Sequence, residues 1–160
     1  PYIFPLIQDF ISKFSKIEKA SEFQLELSRW YFDNKRYGHG YICLVESILT
    51  KLCEIYELDL NDINNRNIMK NLVLKRLRWA KNVYLRELSS KYRFINQVRN
   101  RIAHAAFYQN DSYSYSFVDD INNATENYKE VKKLLESKEI NELSNIISIQ
   151  EIKAINNSNK

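Results

Sequence analysis

Two glycines and two prolines in 160 residues set the tightest limit on what this chain can fold into. A sandwich or barrel of many strands turns back on itself about every eight to twelve residues, and those turns draw heavily on glycine and proline. Four such residues cannot supply them, so helices are expected before any periodicity is read. The 44% hydrophobic and 28% charged content is that of a folded chain. At this length one domain, 1–160, can bury roughly two-thirds of the surface its unfolded form exposes, with no metal or disulfide to staple it.

The apolar residues recur with a helical period. Ile7, Phe10, Ile11, Phe14 and Ile17 give a first helix over 5–19. Ser21 and Gln24 have capping-box spacing and open a second, carrying Phe23, Leu27, Trp30 and Tyr31, which is expected to stop before the glycines of "YGHG". A third covers 41–58, with Ile42, Val45, Ile48, Leu49, Leu52, Ile55 and Tyr56 inward. A fourth over 66–83 and a fifth over 85–106 follow, either separate or as one bent helix. "YQNDSYSYS" reads as a polar loop, and Ser116 with Asp119 caps a helix to about Leu135 that turns Val118, Ile121, Ala124, Tyr128 and Val131 inward. Helix continues to about Ile155, and the tail 156–160 is expected to fray. The fold class is therefore an all-α antiparallel bundle of four or more helices.

Cys43 and Cys53 lie ten residues apart on one helix, about 15 Å along its axis, too far for a disulfide. Two free thiols suit a reducing cytoplasm. No apolar run reaches membrane-spanning length and no signal peptide opens the chain. It begins at Pro1 and not at methionine, which fits a piece of a longer protein.

Charge is unevenly spread. Lys70, Lys75, Arg76, Arg78, Lys81, Arg86, Lys91, Arg93, Arg99 and Arg101 face one acid, Glu87, within 70–101, although the whole chain carries only +4. Interleaved with Trp79, Tyr84 and Tyr92, this window is the footprint of a nucleic-acid binder: cations for phosphates, rings for bases. Lys75, Arg76, Arg78, Lys81, Arg93 and Arg101 are the candidate RNA contacts. Solvated helix faces with inward aromatics are the plainer explanation of the same pattern.

The window ends in "INQVRNRIAHAAF". On a wheel turning about 100° per residue, Ile95, Val98, Ile102 and Ala105 share a core stripe, while Arg99, Asn100 and His104 fall outside it. Asn100 and His104, four apart, stack on one face, and Arg101 sits nearer the core edge as a phosphate contact or a flanking ion pair. These types suit phosphoryl transfer on RNA. Imidazole moves protons near neutral pH, guanidinium meets a phosphate whose charge grows in the transition state, and a carboxamide orients either. One helix lacks a second proton-transfer group, and a two-fold homodimer would supply it.

"RNRIAH" resembles the signature of the HEPN superfamily (higher eukaryotes and prokaryotes nucleotide-binding), an arginine followed after about four to six residues by a histidine, often with Asn, Asp or His beside the arginine. Arg99, Asn100 and His104 occupy those positions. The resemblance implies a helical bundle whose dimer joins two motifs in one cleft. It also implies a metal-independent, cofactor-free endoribonuclease in which the 2′-hydroxyl attacks the adjacent phosphate to leave a 2′,3′-cyclic phosphate. Many such proteins serve as toxins, abortive-infection factors or CRISPR-associated effectors in antiviral defence, and several are paired with an antitoxin, so the resemblance implies an antitoxin or a regulatory domain as a partner. Members paired with a nucleotidyltransferase antitoxin carry a tyrosine two residues after the histidine; this chain has Ala106 there, and Tyr108 two further on.

Glu46, the one charge in "YICLVESIL", either crosses to Arg99 or His104 and orients the site, or sits at an edge near solvent. His39 reads as a loop residue and a lesser candidate. No metal-ligand spacing and no glycine-rich phosphate loop occur. Two rivals remain: a non-catalytic helical module that holds nucleic acid or a partner protein by its basic face, and a helix-turn-helix DNA binder.

Overall fold

A computed structural model describes residues 3–104 and 118–158. Among them the regular secondary structure is all helical, with no strand: an all-α bundle. The helices are α1 Ile3–Phe14, α2 Ala20–Asp33, α3 Tyr37–Ile55, α4 Ile63–Ile68, α5 Leu74–Leu77, α6 Val83–His104, α7 Ala124–Glu136, α8 Leu143–Ile146 and α9 Ile149–Ser158. Residues 118–122 are also helical, and the connection "YQNDSYSYS", like Ser116 and its expected cap, lies outside the described residues. Helix runs to Ser158, past the expected end at Ile155.

The central element is α3. Tyr41, Leu44, Ile48, Leu52, Cys53 and Tyr56 are fully enclosed, by α2 on one side and by α6 and α7 on the others. From α6 come Leu85, Leu88, Tyr92, Ile95 and Val98; from α7, Tyr128, Val131 and Leu135. Tyr41 is a polar knot within this core. Its hydroxyl donates to the Asp120 carbonyl at 2.6 Å and accepts from Asn127 Nδ2 at 2.9 Å. Burial pushes the Tyr41 phenol up to about 12, so it stays a donor.

The glycines do not break the chain as expected. Gly38 and Gly40 form the first turn of α3, which begins at Tyr37. The reason is packing: a Cβ on Gly40 would overlap the Phe32 ring of α2, and one on Gly38 would stand 3.4 Å from Ile102 Cγ2 of α6. Three helices therefore converge where their backbones can approach, against a helix-propensity cost of about 0.5–1 kcal/mol per glycine. The work expected of glycine at helix exits falls instead to Lys35 (φ 58°) and Glu57 (φ 52°), at either end of α3. Each exit is closed by a backbone bond spanning five residues, Arg36 N–H to Tyr31 O at 2.8 Å and Leu58 N–H to Cys53 O at 3.0 Å.

The Ser21–Gln24 capping box does not form. Because α3 runs antiparallel to α2, Glu54 arrives at the start of α2, where Ser21 donates its N–H at 2.9 Å and its hydroxyl at 2.5 Å. A full carboxylate at the positive end of a helix displaces the local cap. The first helix is shorter than 5–19 and the third ends at Ile55. The fourth is interrupted by a π-helical turn, Met69–Val73, in which Met69 and Val73 are both buried. A non-helical turn after Leu77 then separates α5 from α6, so the two are not one bent helix.

Periodicity also overstated the core. Ile7, Ile11, Ile42, Val83 and Val118 are exposed. α1 meets its neighbour through Phe10 on Trp30 and Phe14 on Phe23, which leaves Phe4, Ile7 and Ile11 as an outward apolar stripe.

Candidate active site

The last two turns of α6 carry the motif. Asn100 and His104 are exposed, and His104 is the last described residue of α6. Neither side chain is hydrogen-bonded to another described residue. Arg99 lies half-buried on the flank of the same helix: its Nη2 donates to Asn96 Oδ1 at 2.6 Å, while its Nε is enclosed with no partner among the described residues. The enclosed Nε cannot meet an incoming oxyanion, but a guanidinium held through Nη2 by one amide can still turn Nη1 toward one.

Beneath Arg99 lies Tyr92, two turns back and buried. Burial raises the Tyr92 phenol above its ordinary value, against the opposing fields of Arg99 and Arg66. Arg66, from α4, therefore approaches the same neighbourhood from a second helix. Its guanidinium pairs with Glu46 and donates to Thr50 Oγ1 at 3.3 Å, lying along one face of α3. Glu46 thus crosses to Arg66 and not to Arg99 or His104. The carboxylate in the apolar run of α3 is neutralised by a cation that sequence reading did not consider. No local signal points to Arg66, because its relevance comes from the packing of α4 on α3; Asn96 was legible in principle, three residues before Arg99 on one helix.

Arg101 turns the other way. Its Nε and Nη2 grip both carboxylate oxygens of the buried Asp120, at 2.9 and 2.8 Å. It is the flanking ion pair of the two alternatives, tying the end of α6 to residues 118–122. His39 is exposed on the first turn of α3 with its ring 5.3 Å from that of Tyr31; it is helical and not in a loop.

The basic window divides likewise. Lys91 is paired with Glu130 and Arg76 with Glu151, and Arg86 spends its Nη1 on the carbonyls of Ala80 and Lys81. Lys75, Arg78, Lys81 and Arg93 are exposed and in no ion pair among the described residues. The first three stand around the turn before α6, at the far end from His104. With 22 residues in α6, that separation is about 33 Å. The motif and the densest free positive charge therefore occupy opposite ends of one helix.

Among the described residues no three His, Cys, Asp or Glu side chains gather closely enough to hold a metal ion, and no helix is long and apolar enough to cross a membrane. Cys43 and Cys53 are free, and burial raises both thiols, Cys53 to about 11.

The chain thus offers a solvent-facing imidazole, an amide one turn behind it and a half-buried guanidinium. Among the described residues this motif offers one proton-transfer group, where displacement at phosphorus with loss of an alkoxide calls for two.

No family model matches the chain, and no solved structure matches it. It is similar to a CRISPR-associated protein of Methanocaldococcus jannaschii, 31% identical over 170 residues that cover 96% of this chain and 27% of that protein. The chain spans about a quarter of the length of that relative.

Proposed function

We propose that this chain is a HEPN-type endoribonuclease module that acts as a homodimer in prokaryotic antiviral defence. The observation that carries this reading is that Asn100 and His104 are open to solvent on the last described turns of α6, while the adjacent, half-buried Arg99 is held among the described residues by Asn96 through Nη2 and has Nη1 in no bond there. The defence context is supported by the likeness to a CRISPR-associated protein.

In the proposed reaction the ribose 2′-oxygen attacks the neighbouring phosphorus and the bond to the 5′-oxygen breaks. The imidazole of one protomer accepts the 2′-hydroxyl proton, and that of its partner delivers a proton to the departing 5′-oxygen, leaving a 2′,3′-cyclic phosphate. Arg99 takes up the charge that grows on the non-bridging oxygens, and Asn100 orients the 2′-hydroxyl or the ring. No metal or cofactor enters this scheme. The greater length of the relative leaves room for a regulatory domain, which a nuclease harmful to its own cell would need.

The test is cleavage of labelled single-stranded RNA in EDTA. Wild type is expected to yield cyclic-phosphate ends, and His104→Ala to lose at least about 100-fold in kcat with its melting curve and RNA affinity unchanged. Full activity in His104→Ala would end the mechanism. RNA that is shifted but intact with wild type would instead favour the non-catalytic module, a reading that the distance between the free cations and the motif also accommodates.

A further inference from the structure

Trp79 is 87% exposed, the most open large hydrophobic side chain among the described residues, in a turn whose backbone is fixed on every side. Leu77 and Ala80 are buried beneath it. Arg86 Nη1 donates to Ala80 O at 2.6 Å and to Lys81 O at 2.9 Å. Asn82 Oδ1 accepts the N–H groups of Tyr84 and Leu85, and its Nδ2 donates to Glu142 at 2.8 Å. The indole is therefore held out by a rigid support. Lys75, Arg78 and Lys81 lie four and one residues before it and two after it, exposed and in no ion pair among the described residues, while Glu142 and Glu151 are engaged by Asn82 and Arg76.

We propose that this turn is a second nucleic-acid site, in which an unpaired base of single-stranded RNA stacks on Trp79 and the flanking phosphates pair with Lys75, Arg78 and Lys81. Charge decides the occupant. A protein surface would have to bring several acids to one ring, whereas a single strand presents an anion on either side of every base. A duplex keeps its bases in the stack and cannot offer one to the indole without unpairing. The proposal rests on RNA being the substrate, and it makes the module a two-point holder: α6 separates the stacking ring from His104 by about 33 Å, so only a strand several nucleotides long reaches both.

The experiment measures anisotropy of a labelled single-stranded RNA in the uncleaving His104→Ala background. Trp79→Ala is expected to weaken binding about 5- to 150-fold, the equivalent of the ~1–3 kcal/mol that stacking of one base contributes, and Trp79→Phe to recover part of it. Lys75→Ala with Arg78→Ala should lower the slope of log affinity against log salt by about 1.4. With His104 intact, Trp79→Ala should raise KM on a long strand, leave kcat alone and change neither on a dinucleotide. Unchanged affinity in Trp79→Ala, with an unchanged melting curve, overturns the site and leaves the ring to a protein surface. The binding arm does not depend on cleavage: a wild type that never cuts RNA refutes the nuclease while a Trp79 effect on affinity still stands, and cutting without a Trp79 effect does the reverse.

Discussion

Replacing Arg101 with methionine separates a structural from an RNA-contacting role for that residue. The Arg101 side chain is 29% exposed and that of Asp120 6%. The pair is bidentate, and the Asp120 carbonyl is also bound by the buried Tyr41 hydroxyl. Removing one member of a buried pair leaves a charge without its counter-ion, which costs about 3–5 kcal/mol when both are fully enclosed. Because Arg101 is partly in water, the lower end applies, about 3 kcal/mol. For a chain of this length each kcal/mol moves the melting temperature by roughly 2–4 °C, so Arg101→Met should lower it by about 6–12 °C. Asp120→Leu should behave similarly. The double variant should recover much of the loss, since an apolar pair replaces an ionic one. RNA affinity, measured well below the transition, should change less than about twofold. A melting shift under about 2 °C together with a clear fall in affinity would refute the reasoning and return Arg101 to the phosphates.

Gly40→Ala places a methyl group against the enclosed Phe32 ring, which packs on Tyr41 at 5.0 Å; urea denaturation should show a loss of about 1–3 kcal/mol, whereas Gly38→Ala, with ordinary contact to Ile102, should be neutral or slightly stabilising. Equal effects at the two positions would contradict the packing account. Glu26 is subject to burial, which raises its carboxyl, but the hydrogen bonds from Lys132 and Tyr128 outweigh it and the net shift is downward. Its contribution is therefore present above the unfolded value and lost as pH falls through the lowered folded one. Glu26→Gln should cost about 1 kcal/mol near neutrality, with the gap to wild type closing in acid; paired melts showing a pH-independent gap would argue against the linkage.

The bundle was legible because the stripes of α3 and α6 keep their period: Ile48, Leu52, Leu88, Tyr92, Ile95 and Val98 are all enclosed. Periodicity reports which residues share a face and not whether anything covers that face, hence Ile7, Ile11 and Ile42. It also assumes a constant phase, which the π-turn at Met69–Val73 violates. At the candidate site, the outward positions of Asn100 and His104 follow from the wheel, since both depend only on the helix that carries them. The partner of Glu46 does not, because Arg66 comes from a different helix, and the nearness of Arg66 to Tyr92 exists only after α4 has docked. The basic window looked continuous along the chain, yet in space it runs the length of α6 and is partly consumed by Glu130, Glu151 and Asp120.

Lys35 and Glu57 bracket α3 with left-handed backbone, a geometry that costs a side-chain-bearing residue roughly 1–2 kcal/mol. Both corners are exposed, while the helix between them is the best-sealed part of the molecule. Opening a corner releases its strain without uncovering the interior, so amide exchange and proteolytic nicking should begin there, with Lys35 and Arg36 the first bonds offered to trypsin. The segment from Tyr41 to Cys53 would be the last to admit solvent.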